Sequence, residues 1–147
     1  MTPLQDAGAV IGLVFVLVGA LGFLPGITTG IGSLEIAGSG SEAMLFGIFQ
    51  VSVLLNLLHI GIGAIGMLMS WFLRGAIWFL TVGGIAYLAL GVYGLLVPDG
   101  HVADFVPLNL ADDILHLASG VVMLVLMLTL PRHPTPHSSG EHILGPS

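Results

Sequence analysis

SVLLNLLHIGIG, residues 52–63, and NLADDILHLASG, residues 109–120, are two versions of one pattern. At a constant offset of 57 residues, Asn56 falls on Asp113, His59 on His116 and Gly63 on Gly120. In each, an amide or carboxylate stands one helical turn before a histidine, and an apolar run with glycines follows. The chain around them is oily. Of its 147 residues, 56% are hydrophobic and 7% charged, and the mean hydropathy is +1.09. A soluble domain of this size needs far more polar surface. A chain dissolved in lipid instead shows spans of about 20 apolar residues.

Four such spans are visible. Uncharged stretches run from Ala7 to Leu24, Ala43 to Leu73, Ala76 to Val97 and Ile114 to Leu130. They predict transmembrane helices at about 7–25, 43–73, 76–97 and 110–130. The first and third also match each other: VGALGFLPG, from Val18, resembles LGVYGLLVPDG, from Leu90, with the glycine pairs aligned. The expected fold is therefore an all-α membrane protein. It is a four-transmembrane-helix bundle built from two parallel-repeated helical hairpins, related by an axis along the membrane normal. Residues 1–131 form this domain, and residues 132–147, rich in Pro, Ser and His, form an appended tail without helical period.

Two basic residues set the orientation. Arg74 separates the second and third spans and Arg132 follows the fourth, so both lie on one side with the N-terminus. The positive-inside tendency makes that side cytoplasmic in a multi-pass protein of the cell's inner (plasma) membrane. Trp71 and Trp78 bracket Arg74 as an interfacial anchor. Six of the eight acidic residues lie in the two opposite loops or at the head of the fourth helix, which places acid on the outer side. The first span has no basic n-region and no A-x-A site, so it reads as a helix rather than a signal peptide. With no cysteine, disulfides and thiolate chemistry are excluded. The net charge of −6 argues against a nucleic-acid partner.

The polar positions carry two readings. Asn109 is an N-cap with Asp112 at N3, and Asp112 and Asp113 occupy a first turn where the helix dipole favours carboxylates. Ser39 and Glu42 form a rival S-x-x-E start for the second helix. The repeat favours a start near Ser52 instead, with EAMLFGIFQ as an interfacial piece. By helical rise, His59 lies about 22 Å from Arg74 and His116 about 24 Å from Arg132. Both imidazoles thus sit at one depth. A pseudo-twofold packing lets each histidine bond the polar residue of the other hairpin, an internal clasp at roughly 0.6 kcal/mol per bond.

The alternative reading is ligation. Two helical histidines at one depth resemble axial ligands of haem b, or ligands of a divalent metal with Asp112 or Asp113 added. Met123 and Met127 share the face of His116, where they read as core filler. The tail histidines His133, His137 and His142 read as a solvated appendage. Glycines at Gly8, Gly12, Gly61, Gly63, Gly66, Gly83, Gly84, Gly91 and Gly94 allow close helix packing.

At these motifs the chain resembles the domain of unknown function 4383 family, small four-helix bacterial membrane proteins. The resemblance is carried by LFGIFQVSVLLNLLHIGIGAIG, GIAYLALGVYGLL and VPLNLADDILHLASGVVML, roughly residues 45–127. The family pattern keeps Asn56, His59, Asn109, Ala111, Asp112 and His116. Ser52, Leu55 and Asp113 stand where the family has asparagine, histidine and asparagine. The resemblance implies fold and membrane location, and no activity. With no nucleophile–base constellation, the expected function is non-enzymatic, without a cofactor. It is a small accessory subunit or scaffold in the lipid bilayer, within a larger membrane complex or a homo-oligomer. The alternatives are a haem- or metal-binding redox protein using His59 and His116, and ion-coupled transport along Asp112, Asp113 and His116.

Overall fold

The computed structural model describes residues 1–38, 40–97, 106 and 108–134. Four helices carry the fold: α1 (Pro3–Leu21), α2 (Val53–Met69), α3 (Leu73–Leu96) and α4 (Leu110–Thr129). Three of them, α1, α3 and α4, are long and apolar enough to cross a membrane, while α2 is a shorter apolar helix of 17 residues. At about 1.5 Å per residue, α2 measures about 26 Å.

Three of the helices, α1, α2 and α4, start where the sequence offers a cap. In α1, Thr2 Oγ1 accepts from Gln5 N–H at 3.3 Å, Gln5 Oε1 accepts from Thr2 N–H at 3.0 Å, and Pro3 opens the first turn. Gln5 then does a second job. Its Nε2 donates to the carbonyls of Ser70 and Trp71 at 3.1 and 3.0 Å, pinning the start of α1 to the α2–α3 turn.

The start near Ser52 holds. Ser52 Oγ accepts from Leu55 N–H at 3.1 Å as the N-cap of α2. The apolar stretch 43–73 is therefore not one helix. Its first part forms strands β2 (Met44–Leu45) and β3 (Phe49–Gln50), which pair antiparallel with each other and, through β2, with β1 (Thr28–Thr29). The residues expected to form an interfacial piece are thus a β-hairpin, an element that the all-α expectation lacked. Gly47, at φ 69°, and Phe46, at φ 54°, supply the left-handed backbone that a tight hairpin turn demands. Ser39 lies outside the described residues, as do the loop 98–105 and the tail 135–147.

Glycines bring the helices together in two pairs. A side chain on Gly63 would strike the Gly12 carbonyl, and one on Gly12 would lie 2.6 Å from the Gly63 carbonyl. On the other pair, a Cβ on Gly120 would lie 2.7 Å from the Gly84 carbonyl, and one on Gly84 3.1 Å from the Gly120 carbonyl. So α1 packs along α2, and α3 along α4, backbone on backbone. Between the pairs lies a core of Leu4, Phe15, Phe79, Leu80, Tyr87 and Met123. A second, smaller core of Ala43, Leu45 and Val51 sits under the sheet.

The outside is apolar. Leu17, Leu57, Ile65, Val82, Ile85, Val121 and Leu128 are all exposed, on all four helices. The seam glycines face inward and many large apolar side chains face outward, the reverse of a water-soluble fold. Trp71, Arg74 and Trp78 are exposed together around the α2–α3 turn, and Arg132 is exposed beyond α4, with Nη2 3.9 Å from Met127 Sδ.

Candidate functional site

The polar residues singled out in the sequence gather at the strand-capped end of the helices. Asn56, Asp112, Asp113 and His116 are buried, and His59 and Asn109 are half-buried. Helix geometry explains the grouping. Each histidine lies one turn beyond its Asn or Asp partner, so both point to the same side of their helices.

The head of α4 is the most heavily bonded part. Asn109 Oδ1 accepts from the N–H groups of Ala111 and Asp112 at 2.8 and 3.1 Å, and Asp112 Oδ2 accepts from Asn109 N–H at 3.0 Å. This is the capping box expected. It also reaches across the fold: Asp112 Oδ2 accepts from Gln50 N–H at 2.9 Å, and Asn109 Nδ2 donates to the Ile48 carbonyl at 2.7 Å. The cap thereby holds the β2–β3 hairpin over the helix ends.

Asn56 and Asp113 pack alike. A Cβ on Gly22 would run into the Asn56 amide, and one on Gly94 into the Asp113 carboxylate. Gly22 and Gly94 differ by 72 residues, the offset at which the first and third spans match.

His59 and His116 approach with ring centroids 6.3 Å apart and planes 26° from parallel. His59 directs Nδ1 to the Leu55 carbonyl of its own helix, at 2.9 Å. Asn56 Nδ2 and His116 Nδ1 have no hydrogen-bond partner among the described residues. The cross-hairpin bonds expected of those two atoms are therefore not made.

Two aromatic residues complete the cluster. Phe15 stacks on Tyr87 at 4.8 Å and 8°, Tyr87 lies 5.3 Å from His116, and Phe15 meets His59 edge-on at 6.0 Å. Neither aromatic was read from the sequence as part of the layer. The signal was present, because Phe15 and Tyr87 also differ by 72 residues.

Where the chain departs from the family pattern, the structure gives each residue a place. Ser52 caps α2, Leu55 is buried in the wall beside Asn56, and Asp113 packs on Gly94. Met123, completely buried, fills the core between the helix pairs. Among the described residues, no three His, Cys, Asp or Glu side chains converge as a group to hold a metal ion.

A family model, domain of unknown function 4383, matches residues 5–129. The chain belongs to that family. The match takes in all four helices except the first two residues of α1, and it includes every polar residue of the layer. No curated protein and no solved structure matches the chain.

Proposed function

We propose that this member of the family is a non-enzymatic integral membrane protein, a small accessory subunit or scaffold of a membrane complex. All four helices cross the bilayer, as two parallel-repeated hairpins with both termini on the cytoplasmic side. The observation that carries this reading is the distribution of side chains: apolar residues cover the outside of every helix, while glycine seams and the polar layer are inside. The repeat is supported by paired contacts at fixed offsets: Gly12–Gly63 with Gly84–Gly120, Gly22–Asn56 with Gly94–Asp113, and the Phe15–Tyr87 stack between them.

In this reading the layer is a clasp. Its aromatic contacts join α1 to α3, and the α4 cap fastens the hairpin above. The short α2 spans by letting Trp71 and Arg74 anchor its end at the interface.

A cysteine-free chain allows a clean test. Single cysteines at Ser33, in the loop before β2, and at Arg132, beyond α4, are labelled in intact cells with a membrane-impermeant maleimide. Labelling at position 33 alone is expected. Labelling at position 132 alone, or release of the protein by alkaline carbonate, overturns the reading.

One observation favours a second reading. The Leu55 carbonyl fixes the Nδ1 side of His59, as backbone carbonyls orient metal-bound imidazoles, and His116 lies across from it. Ligation of haem or a divalent metal by His59 and His116 predicts a stoichiometric cofactor in the purified protein, lost in His59→Leu and His116→Leu. Oxidised and dithionite-reduced absorption spectra, with metal analysis, decide it. Ion-coupled transport is the weakest reading, since below His116 α4 offers only Ser119 and Thr129.

A further inference from the structure

A cavity of about 210 Å³ lies under the β2–β3 hairpin, between the ends of α1, α2 and α4. Its wall is mostly apolar, with Val18, Leu45 and Leu115 among the lining residues, but Gln50, Asn56, His59, Asp112 and His116 also line it. The side chains of Asn56 and His116 are only 2% and 3% exposed, and Asn56 Nδ2 and His116 Nδ1 have no partner among the described residues. Buried polar atoms in native folds are nearly always bonded. Two such residues bordering a single cavity point to a partner that the chain itself does not supply.

We propose that this cavity binds a neutral, single-ring lipophile bearing carbonyl oxygens, the chemical class of a quinone headgroup. Size sets the first limit. An apolar cavity of about 150 Å³ takes up benzene, so this one accommodates a six-membered ring with small substituents. A porphyrin is too large for it. Chemistry sets the second limit. The amide Nδ2 of Asn56 can only donate, so the ligand must accept, and a carbonyl oxygen does so without carrying charge.

An anion is disfavoured. No lysine or arginine lines the cavity, and the lining carboxylate of Asp112 already accepts from two backbone N–H groups.

The test uses the full chain in detergent micelles, with ¹⁵N in histidine rings and asparagine amides. Duroquinone, tetramethyl-1,4-benzoquinone, is titrated against durene, the same methylated ring without carbonyls. Saturable shifts at His116 and Asn56 are expected with duroquinone, with His133 unmoved. Durene is expected to bind at least about tenfold more weakly, as is duroquinone to Asn56→Leu, the loss of roughly one good hydrogen bond. Because Asn56→Leu also disturbs the contact with Gly22, Leu115→Phe provides a second variant. It fills the cavity from a half-exposed position and should abolish binding while leaving the circular dichroism spectrum unchanged. An absent or unsaturable shift, equal binding of durene, or undiminished binding to Leu115→Phe would overturn the proposal.

Discussion

The α1–α2 pair and the α3–α4 pair are alike along their seams and unlike at their ends. Gly12 meets Gly63 as Gly84 meets Gly120, and Asn56 and Asp113 each fill the space left by a glycine. At the strand-capped end the likeness stops. Ser52 gives α2 a single cap bond, whereas Asn109 and Asp112 give α4 a capping box and two bonds to the β2–β3 hairpin. At the offset of 57 residues, Leu55 stands opposite Asp112. The lesson is that close packing dictates the shared part, since backbone contact tolerates only glycine. The ends are free to diverge, and there one half became apolar and the other polar, around a common cavity.

The comparison breaks most visibly at the seams. Gly63→Val and Gly120→Val each force a side chain into a facing carbonyl and should each cost about 3 kcal/mol. Gly61→Val, with nothing within 4 Å of the added carbon, should be nearly neutral. Unfolding titrations in mixed micelles measure all three, and unequal costs at positions 63 and 120 would break the likeness of the seams.

A smaller effect probes the unlike ends. Asp112→Ala removes acceptors from Gln50 N–H and Asn109 N–H and should cost about 2 kcal/mol. Ser52→Ala removes one cap bond and should cost about 1 kcal/mol. If the two costs were equal, the tie between α4 and the hairpin would contribute nothing. Amide exchange at Gln50 checks this directly, since its protection should fall in Asp112→Ala alone.

At the opposite end, Gln5→Leu leaves the Ser70 and Trp71 carbonyls without their amide donor. A cost of about 1 kcal/mol is expected in the same titrations. The smallest change is at the hairpin tip. Phe46→Gly relieves a left-handed backbone and should stabilise the ligand-free protein by less than about 1 kcal/mol, because the chain entropy of glycine offsets part of the gain.

Much of this was legible in the sequence. The Asn109–Asp112 cap, the start of α2 after Ser52 and the grouping of Asn56, His59, Asp113 and His116 at one end follow from helix spacing and cap chemistry, which act within a few residues. The β2–β3 hairpin was not legible, because MLFGIFQ is as apolar as a span and what holds it in place, β1 and the head of α4, lies elsewhere in the chain. The aromatic stack was missed for a related reason. Phe15 and Tyr87 look like ordinary lipid-facing residues until the offset of 72 is followed through the whole first and third spans.

The sequence by itself determined the helices, their caps, the apolar exterior and the doubled histidine pattern. These depend on side-chain hydropathy and on local hydrogen bonds, which any chain with this order of residues carries. Only the tertiary structure decided that Asp112 grips the hairpin, that His59 turns to its own Leu55 carbonyl, and that Asn56 and His116 line a cavity while each keeps a nitrogen without a partner among the described residues. Those outcomes depend on which backbones approach closely enough to leave room or to fill it, and that is settled by packing between segments far apart in the chain.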